Sequence, residues 1–206
     1  MLPTSITRIV ALLIVAALPS LASAHAGGLD KEGCHNDKKA RERHCHPERL
    51  IARKLATCEL VKPPKAGDEG VFFGRFVRTV DGDTFHAKVQ GVVMDFRLAE
   101  ADAPETRQPY GDVAAKELES LLSDRNLVLV PFDTDAYGRT VAFVWVGSMC
   151  INKELVRRGA AWFYDEYSND NALQWVEDEA RDAKLGLWAL PPRKRMEPWV
   201  FRQEKR

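Results

Sequence analysis

Three runs rich in Val and Phe, Val71 to Val80, Phe85 to Val89 and Val92 to Leu98, follow one another with only Asp-Gly and Gln-Gly punctuation between them. Gaps this short admit hairpins but not the crossover helices that parallel strands need, so the segment predicts a three-stranded antiparallel meander. Two more strands are predicted at Leu127 to Phe132 and Thr140 to Val146. Ahead of these two, Ala114, Leu118, Leu121 and Leu122 recur at helical spacing, which predicts an amphipathic helix over Asp112 to Asp124. A second helix is predicted from Asn152 to Arg158, ended by Gly159 as a left-handed C-terminal residue. A third, entered at Ser168 to Asp170, is expected to carry Leu173, Val176, Ala180, Ala183 and Leu187 inward.

Five strands arriving as hairpins, with helices inserted and appended, make an α+β domain rather than a parallel sheet. The expected architecture is a five-stranded barrel of the oligonucleotide-binding (OB) type with three α-helices. A chain of 206 residues suits one such domain plus appendages. Residues 1–24 carry one arginine, an apolar run from Ile9 to Leu18 and a small-residue Ala22-Ser23-Ala24 signature, which together predict a signal peptide, export to a periplasm or the exterior, and no membrane attachment after cleavage. Residues 25–69 form a Cys/His-rich segment with a short helix expected at Arg49 to Leu60 and a linker around Pro63-Pro64. The globular domain, 70–206, ends in a basic tail from Arg193.

The 30 basic and 30 acidic residues balance, so no global basic field announces a polyanionic partner. A binding enzyme that must release its product can still concentrate charge locally, and Arg193 to Arg206 does so; a solvated chain end is the plainer reading of that run. The four cysteines, Cys34, Cys45, Cys58 and Cys150, permit three full pairings. Export favours oxidation, so a Cys34–Cys45 disulfide is expected, leaving Cys58 with Cys150. His25, His35, His44 and His46 around Cys34 and Cys45 are also ligand types for zinc or copper, although the spacing is not that of a zinc finger.

Acidic and cationic residues gather near predicted strand ends: Asp83, Arg97, Asp102, Glu105 and Arg139. Each has a plain reading alone, as turn, loop punctuation or solvated edge residue. In order along the chain, however, GRFVRTVDGDTF, FRLAEADAPET, DAYGR, NKELVRRGAAWFY and AKLGLW resemble the staphylococcal nuclease (thermonuclease) family over about Gly74 to Trp188. The resemblance implies a secreted enzyme cleaving phosphodiesters of DNA and RNA with Ca2+ and leaving 3′-phosphates. It implies calcium binding by Asp83, Asp102 and the backbone carbonyl of Ala103, with Glu105 as general base and Arg97 and Arg139 on the reacting phosphate.

Elementary chemistry agrees with these roles. Calcium wants about six to eight oxygens, so two carboxylates and a carbonyl leave positions for water and a phosphate oxygen. Two guanidinium forks match a phosphoryl group whose charge grows during attack. Tyr137, Tyr164 and Tyr167 are candidate substrate-binding aromatics; their faces suit every base, which predicts little sequence preference and a liking for single strands. Two departures from the family are Ala103 where threonine is commoner, and a shorter loop between Thr106 and Tyr110-Gly111. No obligate protein partner is expected. The competing readings are a non-catalytic nucleic-acid-binding module of the same fold, and an envelope metal-binding protein run by the histidine segment.

Overall fold

The computed structural model describes residues 34–37, 42–45, 64, 65, 68, 70–164 and 171–204. The predicted signal peptide, the helix at 49–60, Cys58, Tyr167 and the entry to the third helix lie outside them. Near the N-terminus β1 (Cys34–Asp37) and β2 (Glu42–Cys45) pair antiparallel, with Cys34 opposite Cys45 and His35 opposite His44.

The domain is built on β3 (Phe72–Thr79), β4 (Thr84–Val89), β5 (Val92–Leu98), β7 (Asn126–Thr134) and β8 (Thr140–Val146). Pairing runs β5-β4-β3-β7-β8, and a parallel β5–β8 contact closes the sheet on itself into a five-stranded barrel. All five strands match the sequence expectation to within two residues at each end. Closure requires strongly bent strands, and the register shifts at Phe76/Arg78 in β3 and at Pro131/Asp133 in β7 provide bends. Pro131 lacks an N–H to give the ladder, so its place at an irregularity is expected. Inside, Phe85 and Phe96 stack at 5.6 Å between centroids.

Helix α1 (Gly111–Leu122) buries Ala114, Leu118, Leu121 and Leu122, the four residues that predicted it. Helix α2 (Ile151–Arg157) follows the short strand β9 (Met149–Cys150), and Gly159 caps it at φ 66° with Ala160 N–H donating to the Leu155 carbonyl. Its buried Asn152 donates to the carbonyls of Ala99 and Ala142 and accepts from Val144 N–H, tying α2 to the closing strand. Cys150 is disulfide-bonded.

Helix α3 (Asn171–Asp182) differs from expectation at its end. Leu173, Val176 and Ala180 are buried as predicted, but Ala183 is exposed beyond the helix. Left-handed Lys184 and Gly186 turn the chain, and Leu187 reaches the core from a short 3-10 turn, Gly186–Ala189. A fourth helix, α4 (Pro198–Glu204), was not predicted as a helix. It carries Trp199, which meets Trp162 at 6.0 Å and Tyr164 at 5.2 Å, so the basic tail folds back onto the domain. Two-residue strands β6 (Ala101–Asp102) and β10 (Trp162–Phe163) pair, setting Asp102 opposite Trp162. Among the described residues no helix is long and apolar enough to cross a membrane.

Candidate active site

The site begins at the turn before β4. Asp81 Oδ1 accepts from the N–H groups of Asp83 at 3.1 Å and Thr84 at 2.8 Å, so the chain bends around the aspartate side chain. Gly82 is there for space rather than for a left-handed backbone. A Cβ on it would lie 2.5 Å from Ala103 Cβ and 2.8 Å from Ala114 Cβ. The turn, the loop after β5 and the first half of α1 thus meet at one point, which brings Asp83 to the loop that carries Asp102. Gly82→Ala is expected to destabilise the domain by about 1–3 kcal/mol through overpacking. An unchanged midpoint in urea unfolding would contradict it.

Asp83 is 3% exposed, and its hydrogen-bond donors and Arg97 favour a carboxylate. Its Oδ2 accepts from Ala103 N–H at 2.9 Å, its Oδ1 from the Thr84 hydroxyl at 3.0 Å, and Arg97 Nη2 lies 3.2 Å away. Burial pushes the acid up, but the Arg97 charge and these hydrogen bonds outweigh it and hold Asp83 below the ordinary aspartate range. Asp81 goes the other way: burial, then the charge of Asp83, raise it to about 6.

Strand β5 supplies Arg97, whose Nη2 also donates to Asp102 Oδ1 at 2.5 Å. One guanidinium nitrogen is therefore shared by two buried carboxylates, which draws Asp83 and Asp102 together. Three residues on, Glu105 is about one-third exposed, and its backbone N–H donates to Gln108 Oε1 at 2.8 Å. Arg139, at the end of the turn into β8, donates through Nε to Asp135 Oδ2 at 2.7 Å and through Nη1 to Thr84 Oγ1 at 3.1 Å. Because Thr84 in turn donates to Asp83, a continuous chain of hydrogen bonds and one ion pair, Arg97 with Asp83, links Arg139, Thr84, Asp83, Ala103, Arg97 and Asp102.

Six of the residues singled out from sequence, Asp83, Arg97, Asp102, Ala103, Glu105 and Arg139, therefore share one rim of the barrel. Tyr137 is 78% exposed with its ring 5.4 Å from the Arg139 guanidinium carbon. Tyr164 packs against Trp199. Two residues of the site were not anticipated. Thr84 is the bridge to Arg139, and Arg202 of α4 reaches both acids of the loop: Nη2 donates to Asp102 Oδ2 at 2.7 Å, and Nη1 to Asp102 Oδ1 at 3.1 Å and to Glu105 Oε1 at 2.8 Å. Trp199 and Arg202 stand three apart, on one side of a helix, so an aromatic anchored on the domain aims the arginine inward. That spacing was the available signal.

The donors are all hard oxygens, with no thiolate or imidazole among them, which suits a hard divalent cation and a phosphate rather than a soft metal. Among the described residues no three His, Cys, Asp or Glu side chains form a ready cage; the acids are spread over arginines instead. A carboxylate at the edge of this cluster can orient a water, and the guanidiniums can stabilise charge on a phosphoryl group.

Comparison with known proteins gives this geometry a context. The family model described as staphylococcal nuclease homologue matches residues 95–190, a span holding Arg97, Asp102, Glu105 and Arg139. An "Uncharacterized endonuclease" of Escherichia coli is 37% identical over 134 residues, covering 64% of this chain and 86% of the relative. "Protein ParB" of Escherichia coli is 35% identical over 142 residues, 64% of this chain and 79% of the relative. The "Micrococcal nuclease" of Shigella flexneri is 34% identical over 165 residues, 75% of this chain and 92% of that protein.

Proposed function

The chain belongs to the staphylococcal nuclease family as an endonuclease-type hydrolase, and we propose that it is an exported, Ca2+-dependent enzyme hydrolysing DNA and RNA with little sequence preference and leaving 3′-phosphates. The observation that carries this reading is the chain of hydrogen bonds and ion pairs from Arg139 through Thr84 and Asp83 to Arg97 and Asp102, with Glu105 at its edge. Arg97 and Arg139 grip the phosphodiester and meet the charge that grows on its oxygens. Glu105 orients the attacking water and accepts its proton. Tyr137, exposed beside Arg139, offers a base-stacking face. Asp83 and Asp102, with the Ala103 carbonyl, are the residues that would hold Ca2+. The bound ion supplies Lewis-acid stabilisation of the phosphoryl oxygens.

Export is supported by the apolar N-terminal run and by the disulfide at Cys150, since disulfides persist in oxidising compartments. Cys58 is proposed as its partner. The register of Cys34 opposite Cys45 supports the second bridge.

The test is digestion of single-stranded and duplex DNA and of RNA by the mature protein, with product ends analysed. A chelator is expected to abolish hydrolysis, and Ca2+ to restore it better than Mg2+, whose near-octahedral demand suits irregular loop-borne ligands less well. Full activity in chelator, or restoration by Mg2+ alone, would overturn the metal assignment.

A further inference from the structure

Arg202 sits on Asp102, an acid that the proposed metal needs, and on Glu105 beside it. Asp102 has no exposed side-chain surface, and both of its oxygens already accept guanidinium hydrogen bonds: Oδ1 from Arg97 and Arg202, Oδ2 from Arg202. A carboxylate gripped in this bidentate way has few lone pairs left for another cation. A dication placed on Asp102 would also face the positive charge of Arg202 at close range.

The two arginines on Asp102 are not equally fixed. Arg97 belongs to a barrel strand, is 18% exposed and also pairs with Asp83. Arg202 is 36% exposed and rides on a seven-residue terminal helix of which Pro198 alone is buried. That helix is held by the aromatic contacts of Trp199 and, one turn upstream, by Gln108 Nε2 donating to the Met196 carbonyl at 3.0 Å. Gln108 accepts the Glu105 N–H through its other side-chain atom, so the loop of the acids and the strap of the arginine are joined by one residue. Arg202 is the cation that can leave.

We propose that Arg202 is a built-in counter-cation that competes with the metal for Asp102 while also holding the neighbouring Glu105, so that the C-terminal helix sets the metal affinity of the site. The inference rests on the reading of Asp102 as a metal ligand. In the metal-free protein the guanidinium neutralises acids whose burial without a partner is costly. Metal entry displaces it, and the measured affinity is reduced by the fraction of molecules in which Arg202 is seated. Loss of the arginine therefore removes a competitor while leaving the ligands intact.

Calorimetric titration of the full mature chain with CaCl2 tests this without reference to turnover. Arg202→Gln is expected to tighten the Ca2+ Kd by about tenfold or more, the factor for a competitor seated in nine-tenths of molecules or above. The rise in Tm on adding Ca2+ should be larger in the variant than in the wild type. Trp199→Ala, which loosens the helix and keeps the guanidinium, should shift Kd the same way by a smaller factor. It also serves if Arg202→Gln folds poorly. Equal or weaker Ca2+ affinity in both variants, alongside clear binding by the wild type, would overturn the role of Arg202 and leave the metal site standing. Absence of Ca2+ binding in all three proteins would overturn the metal reading and this inference with it.

Discussion

Arg139→Ala is expected to lower turnover on DNA by about two to three orders of magnitude while leaving the barrel folded, the range found when one preorganised donor is removed from a developing oxyanion. Among the described residues the side chain bonds to Asp135 and Thr84 and lies against the Tyr137 ring, near the rim of the barrel and outside the apolar core, so its truncation is expected to cost little stability. Glu105→Gln, which preserves shape and removes the basic oxygen, should cause a loss of similar size. Arg139→Lys should recover little, because an ammonium replaces a planar fork with a point charge. Single-turnover rates at saturating substrate, with circular dichroism for the fold, provide the measurement. Rates within threefold of wild type for both Arg139→Ala and Glu105→Gln would remove these residues from the chemistry.

Arg97→Ala should behave differently, because it loses stability as well as activity. Its guanidinium is bonded to Asp83 and Asp102, which are 3% and 0% exposed. Removing Arg97 strips buried Asp83 of the guanidinium charge that offsets its burial, while Arg202 keeps its hold on Asp102, at a cost of about 3–5 kcal/mol. Denaturant unfolding of the metal-free protein should show this loss, and added Ca2+ should restore part of it by supplying positive charge to the same carboxylates. A stability loss below about 1 kcal/mol, in the range of an exposed pair, would mean that the acids find other partners. The contrast between Arg139 and Arg97 would separate a residue proposed to work on the substrate from one that also holds the site together.

The barrel was legible because its strands are local objects. Asp81-Gly82 and Gln90-Gly91 mark the hairpins, β-branched and aromatic residues fill the runs between, and Gly159 announces the end of a helix at the residue where φ turns positive. The third helix was misjudged at its end because Ala183 continues the apolar spacing, whereas Lys184 and Gly186 adopt the left-handed conformation that ends it. A Cβ on Gly186 would lie 2.3 Å from the Gly159 carbonyl, and that tertiary contact is invisible in a helical pattern.

The site divides in the same way. Asp83, Asp102 and Glu105 were legible because their motifs are contiguous. Thr84 was not, because a threonine opening a strand has an ordinary explanation until Arg139 is seen 3.1 Å from its hydroxyl. Arg202 lies 100 residues from Asp102, inside a tail whose charge suggested solvent. The packing of Trp199 and the Gln108 hydrogen bond to the Met196 carbonyl attach that tail to the domain.

The parallel contact that closes the barrel joins only three residue pairs, Phe96 with Thr140, Arg97 with Val141 and Leu98 with Ala142. The antiparallel β4–β5 ladder joins six. Arg97 and Arg139, the two arginines proposed to grip the phosphate, therefore stand at the shortest seam of the cylinder, one within it and the other immediately before it. A fluctuation that parts this seam would separate the two arginines while the hairpins stay intact, so under the proposed mechanism catalytic competence would be tied to the least reinforced line of the fold rather than to its core.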